Sequence, residues 1–188
     1  MKIVIVGCGR VGSVLAEAYD AGGHEVIVLD LSTRAFDRLP GEFRGSAVRG
    51  DGTDEDVLRR AGAEGADIFL ALTEGDNRNV MATQVATEKL GIAQVLAKIN
   101  DPVRAAAYAE LGIATICRTT MLADAVSTFL GLPPSGIPSM IAPRGGHHGQ
   151  DHEPLAAGTG GAGTGGGGTG GAGPSGTGEA GLVAGGEG

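Results

Sequence analysis

The residues best suited to chemistry stand at the start of the chain. Gly7-Cys8-Gly9-Arg10-Val11-Gly12 fits the pattern G-x-G-x-x-G. A glycine at Gly7 permits a tight turn. At Gly9 it lets the backbone approach a diphosphate with no side chain in the way. At Gly12 it lets a helix pack close to a strand. If a helix opens there, its free N–H groups and its dipole face the bound anion. Arg10 lies inside the turn and is placed to pair with phosphate, although a solvated charge has the same signature. Asp30 follows 18 residues after Gly12. A carboxylate there accepts from both hydroxyls of an adenosine ribose and repels a 2′-phosphate, which favours NAD or an adenine nucleotide over NADP. The alternative is an Asp that serves a helix start at Ser32.

Three further segments suit the same ligand. Gly50-Asp51-Gly52-Thr53 is a short polar turn, and Asp51 can accept from an adenine amino group. The same residues also make an ordinary turn and N-cap. Leu72-Thr73-Glu74-Gly75-Asp76-Asn77-Arg78-Asn79 offers Thr73 and Glu74 to the ribose and phosphates, and Asn79 to cap or bridge a neighbouring loop; a helix-capping loop is the plain alternative. Lys98 ends an apolar burst and is a second cation within reach of phosphate. Cys8 has no His near it in sequence and reads as a packing residue, and Cys117 reads as core. His147, His148 and His152 suit a metal only weakly. No Ser-His-Asp set, Cys-x-x-Cys or paired catalytic carboxylates stand out.

These residues need strands and helices to hold them. Apolar bursts at 2–6, 25–29, 46–48, 67–71, 94–98 and 114–116 are short and rich in Val, Ile, Leu and Ala, as in parallel strands buried on both faces. Helices are expected between them: 11–21 stopped by Gly22-Gly23, a short one capped by Ser32 and running through Asp37, 55–61 capped by Thr53 or Asp54, a long one from Asp76 or Asn77 to Leu90, one from Asp101-Pro102 to near Gly112, and one capped by Thr119 or Thr120 and stopped by Gly131. Six strand–helix units predict an α/β fold, a Rossmann-like, doubly wound, mainly parallel six-stranded sheet. The expected organisation is a nucleotide-binding domain over 1–131, a Pro-containing linker over 132–144 with a brief apolar stretch at 139–142, and a Gly-rich disordered tail over 145–188.

Composition narrows the function. Of the 36 glycines, 20 fall in the last 44 residues, which hold four acids and no Lys or Arg. The first 144 residues carry 14 basic and 18 acidic side chains, a balance that argues against nucleic-acid binding. No apolar run approaches the roughly 20 residues that span a bilayer, and two cysteines make no disulfide framework. A cytoplasmic protein is expected.

Taken in order, the glycine turn with its Arg10, Asp30, Gly50-Asp51-Gly52-Thr53, the 71–79 loop, Lys98-Ile99-Asn100-Asp101-Pro102 and Glu110-Leu111-Gly112 resemble the N-terminal (TrkA-N, or RCK N-terminal) domain of TrkA/KtrA-type potassium-uptake regulators. The resemblance covers about residues 1–130. It implies regulation, not catalysis: a subunit that binds NAD(H) or ATP/ADP, forms a homodimer or a higher ring, and lies at the inner face of the membrane beneath a potassium-translocating subunit that it gates. By position it implies that the turn Gly7, Cys8, Gly9, Arg10, Val11, Gly12 holds phosphates and Asp30 the ribose. Asp51 and Gly52 then flank adenine, and Thr73, Glu74 and Lys98 complete the pocket. Arg10 reaches a phosphate across the dimer, and Glu110 lies near its interface. Gly52 stands where the family often has Ala. Such regulators usually continue into a second, C-terminal domain, whose place residues 133–188 do not have the composition to fill, so a second regulatory chain is an implied partner. An NAD-dependent oxidoreductase and a stand-alone nucleotide-binding interaction module are the alternatives. The first is disfavoured because a dehydrogenase needs a substrate domain and a proton-transfer residue.

Overall fold

β1 (Lys2–Val6) runs through the middle of the molecule and is buried from Ile3 onward. Its side chains alternate between the two faces of a sheet. Val4 and Val6 enter one core cluster with Ile27, Leu29, Leu58 and Phe69. Ile3 and Ile5 enter a second with Val26, Val28, Ala16 and Leu70. Burial on both faces explains why the strands read as unbroken apolar runs.

The computed structural model describes residues 1–142. After β1 come α1 (Arg10–Ala21), β2 (Glu25–Asp30), a 3₁₀ turn (Thr33–Arg38), β3 (Ser46–Arg49), α2 (Glu55–Arg60), β4 (Ile68–Ala71), α3 (Asp76–Leu90), β5 (Gln94–Ile99), α4 (Pro102–Glu110), β6 (Thr115–Cys117), α5 (Arg118–Phe129) and β7 (Met140–Ile141). The strand order is β3-β2-β1-β4-β5-β6-β7. β1 to β6 are parallel, and β7 pairs antiparallel with β6. The fold is the doubly wound, Rossmann-like sheet expected from the sequence. The strand order reverses between β1 and β4, so a crevice opens beyond the carboxyl ends of those two strands.

The sheet has seven strands where six were expected. The seventh falls inside the segment expected to be a linker. Met140 and Ile141 pair with Ile116 and Thr115, and the Cys117 N–H donates to the Ser139 carbonyl at 2.7 Å. A two-residue strand is too short for an alternation to reveal. The expected tail over 145–188 and the three histidines at 147, 148 and 152 lie outside the described residues.

Local chemistry sets the helix ends. Asp54 caps α2 by accepting from the Val57 N–H at 3.1 Å, and Asp101 caps α4, with Pro102 in its first turn, by accepting from Val103 N–H at 2.9 Å. α3 closes on Gly91 at φ +66°. Two expected caps differ. Ser32 makes no side-chain cap; its N–H donates instead to Asp30 Oδ1 at 2.8 Å. α5 starts at Arg118, directly out of β6, so neither Thr119 nor Thr120 caps it. Thr119 Oγ1 donates to the Asn100 carbonyl at 2.6 Å, and Thr120 is buried beside Cys117.

Candidate functional site

The glycine turn lies at the carboxyl end of β1 and is clamped on both sides. The Gly7 N–H donates to the Leu29 carbonyl and the Leu72 N–H to the Val6 carbonyl, each at 2.7 Å. Gly7 has φ +106°, and a Cβ there would lie 2.9 Å from the Thr73 nitrogen. At Gly12 a Cβ would lie 2.0 Å from the Gly7 carbonyl oxygen. These two glycines let strand, turn and helix close on one another. Gly9 is different: a Cβ there meets nothing within 4 Å. The fold makes no steric demand for that glycine, which leaves the open side of the turn as the place where lack of a side chain matters. The first N–H groups of α1 have no partner within the helix, and its first residues, Arg10 and Val11, line a cavity on this side of the turn.

Asp30 ends β2 next to the turn. Its Oδ2 accepts from the Cys8 N–H at 2.9 Å and its Oδ1 from the Ser32 N–H at 2.8 Å. Each oxygen keeps a lone pair for a further donor. The carboxylate therefore ties the glycine turn to the segment after β2, a role that strand spacing alone does not reveal. Cys8 is fully buried, and burial first, then the Asp30 charge, pushes its thiol pKa up. A thiol held neutral is a poor nucleophile.

Asp51 follows β3. Its Oδ1 accepts from the Thr53 N–H at 3.0 Å and from the Thr53 hydroxyl at 2.8 Å. The Thr53 N–H is the main reason the carboxyl titrates below the usual aspartate range. The Thr53 hydroxyl and Arg78 act in the same direction, against partial burial. A depressed folded pKa adds stability that is complete above the unfolded aspartate pKa and is lost as pH falls through the folded one. The wild type is thus expected to exceed Asp51→Asn in stability at neutral pH. That advantage should shrink across this acid window, as read from denaturation midpoints against pH. Beside Asp51, a Cβ on Gly52 would stand 2.3 Å from Val6 Cγ1. An Ala there needs Val6 to move, so the glycine fits its β1 neighbour.

The loop after β4 is fixed by a fully buried Asn79. Its Oδ1 accepts from the Thr73 N–H at 2.9 Å and the Thr73 hydroxyl at 2.7 Å. Its Nδ2 donates to the Thr73 carbonyl at 2.9 Å and the Lys98 carbonyl at 2.7 Å. Of the roles open to Asn79 in sequence, the bridge is the one formed. Thr73 is therefore committed to holding its own loop. Lys98 is not at the surface: it is 5% exposed, and its Nζ lies 3.3 Å from Glu74 Oε1. Glu74 Oε2 also lies 3.6 Å from Arg118 at the start of α5.

Two cavities flank the glycine turn. One of about 230 Å³ has apolar walls from Val6 and Leu29 and polar groups from Asp30, Asp51, Thr73 and Arg78. The other, of about 570 Å³, is lined by Arg10, Arg38, Lys98 and Arg118 against two carboxylates, Asp30 and Glu74. The cavities share Gly9, Asp30, Leu72 and Glu74. One side suits a planar base, and the other, with an excess of positive charge, suits an anion. The residues assigned to the pocket in the sequence line one or both cavities, except Gly12, which is buried in the packing beneath the turn; Thr53 and Asn79 line neither and act through the hydrogen bonds above. Arg38, Arg78 and Arg118 were not singled out. Only the position of Arg118, directly after a strand, marks any of them.

The TrkA-N domain family matches residues 3–119. The chain belongs to the TrkA-N domain family. It is 46% identical over 146 residues to the Trk system potassium uptake protein TrkA of Streptomyces coelicolor, covering 78% of this chain and 65% of that protein. It thus spans just under two thirds of that curated relative's length. Among solved structures, the TrkA-N domain of the inner membrane protein ybaL from Escherichia coli superposes with a TM-score of 0.61 at 23% identity, covering 69% of this chain and 96% of that one. The structure of GsuK bound to ADP gives 0.58 at 22% identity, covering 68% and 33%. These two likenesses establish the TrkA-N fold. Among the described residues, no helix is long and apolar enough to cross a membrane.

Proposed function

We propose that this chain is a regulatory component of a potassium uptake system, which binds an adenine nucleotide or dinucleotide and so biases a potassium-translocating membrane subunit. The observation that carries this reading is the pair of adjacent cavities around a sterically open Gly9, with Asp30 common to both. In it, the adenine lies between the 50–52 turn and the 72–74 loop, and Asp30 accepts from the ribose hydroxyls. The α1 N-terminus and Arg10 hold the phosphates. The 46% identity to a TrkA potassium uptake protein supports the transport role, and the ADP in a structurally similar protein supports the ligand class. The ligand works as a switch only if it binds one conformation better than another. The chain acts at the cytoplasmic face through its membrane partner, as a homodimer or higher ring or together with a second regulatory chain.

Thermal shift with NAD, NADH, ATP, ADP and NADP, alongside oligomeric mass, tests the reading. At least one nucleotide without a 2′-phosphate is expected to raise Tm. Asp30→Ala is expected to weaken that nucleotide about tenfold or more, roughly 1.4 kcal/mol. No shift with any of the five overturns the binding claim, and steady NADH turnover with a small carbonyl substrate favours the oxidoreductase reading instead.

A further inference from the structure

The larger cavity contains an ion pair whose two members sit in very different surroundings. The Lys98 side chain is 6% exposed, whereas that of its partner Glu74 is 80% exposed. An ammonium that is withdrawn from water needs a counter-charge close by. A carboxylate that is mostly in water loses little by swinging fully into it. The pair is therefore asymmetric: Lys98 needs an anion, and Glu74 is the partner that can leave. Glu74 also pairs with Arg118, so one carboxylate neutralises two of the four cations that line this cavity.

Glu74 can leave without disturbing the loop that carries it. Asn100 Nδ2 donates to the Glu74 carbonyl at 3.2 Å and to Asp76 Oδ1 at 2.8 Å, which holds the main chain at that point. Next to it, Thr73 is fixed by Asn79. Rotation about the Glu74 side-chain bonds alone removes the carboxylate and exposes Lys98 and Arg118 to whatever lies in the cavity. Cys8, Gly9, Arg10 and Val11, the turn and first residues of α1, line that same space.

We infer that Glu74 is a built-in competitor for anions, which occupies Lys98 and Arg118 until a ligand phosphate displaces it. The inference rests on the nucleotide reading for the identity of the ligand, but its chemistry needs only a diphosphate group in the larger cavity. Displacement has two consequences. A diphosphate gains more than a monophosphate, because it can reach Lys98 as well as the α1 N-terminus. And Arg118 exchanges its partner, so the first residue of α5 responds to occupancy of the cleft.

The test uses the full chain with inorganic pyrophosphate as the probe, followed by AMP and ADP, in calorimetric titrations at low salt. Glu74→Gln keeps the size of the side chain and removes the charge. It is expected to bind pyrophosphate about five- to tenfold more tightly than wild type, and to raise the preference for ADP over AMP by a similar factor. Adding Lys98→Met to that variant should abolish the gain. Unchanged or weaker pyrophosphate binding by Glu74→Gln overturns the inference. Should Glu74→Gln fail to fold, Glu74→Asp takes its place: the shorter carboxylate cannot span both cations, so a gain of about twofold or more is expected, and no gain overturns the inference. The two readings fail separately. Pyrophosphate that behaves as expected while AMP, ADP and NAD bind neither protein overturns the adenine reading and leaves Glu74 in its role. Nucleotides that bind both proteins with no pyrophosphate gain overturn the role of Glu74 alone.

Discussion

Gly12→Ala is expected to destabilise the domain by about 3 kcal/mol. The new methyl carbon would stand 2.0 Å from the Gly7 carbonyl oxygen, and Gly7 is itself pinned to Leu29 by its N–H. The turn cannot retreat without breaking that bond, and α1 cannot retreat without opening the core around Ala16, which is fully buried. Urea denaturation should show a lower midpoint with a nearly unchanged slope. Gly9→Ala supplies the control within the same motif. Its methyl group meets nothing within 4 Å, so stability should change by about 1 kcal/mol or less, the cost of replacing glycine at an N-cap. On the proposed nucleotide reading, affinity should fall more than tenfold, because the methyl would stand where that reading brings the diphosphate. A Gly9→Ala protein that binds ADP normally would place the phosphates elsewhere. The same small change three residues apart thus separates the demand of the fold from the demand of the ligand.

Asn79→Ala is expected to cost about 3 kcal/mol, despite the small volume removed. Four hydrogen bonds disappear together. The Thr73 N–H, the Thr73 carbonyl and the Lys98 carbonyl lose a buried partner. An alanine leaves the Lys98 carbonyl unsatisfied in the interior and removes the partner that holds the half-buried Thr73 in place. The same side chain joins the end of β4 to the end of β5, so its loss should also loosen the Thr73 side of the smaller cavity. Chemical denaturation reads the first effect. A weaker ADP-induced rise in Tm, compared with a control of matched stability, reads the second. Asn79→Asp keeps the acceptor and loses the donor, and it places a charge among buried groups. It should be destabilised as well, by the lost donor and the buried charge together.

The strands were legible because burial on both sheet faces leaves little room for anything but Val, Ile, Leu and Ala. β1 and β2 stand out for that reason, and the glycine turn between β1 and α1 is fixed by steric demands that any reader of Gly7 and Gly12 can state. β7 was not legible, since two residues carry no period. The site was readable in its positions and less so in its wiring. That Asp30 lies beside the turn follows from strand spacing. That it already holds the Cys8 N–H depends on a distance across two parallel strands, which no local pattern encodes. Lys98 was read as a cation within reach of phosphate, with a solvated charge as the alternative, because a lysine at a strand end normally meets water. It is buried instead, with Glu74 as the counter-charge. Arg38 and Arg78 carry no signal in sequence, because an arginine in a helix looks the same whether it faces water or a cleft, and Arg118 is marked only by its place directly after a strand.

The short antiparallel β7 has a consequence for how the molecule meets its neighbours. A parallel sheet that ended at β6 would present a row of unpaired backbone groups, a template for strand addition and for aggregation. β7 occupies that template and is itself only two residues long. At the other side β3 has four residues, with Ser46 and Arg49 at its ends. Among the described residues, neither border of the sheet offers an incoming strand a long apolar partner. Any association between copies is thereby left to helix surfaces and loops, where side chains instead of backbone ladders decide which partner fits.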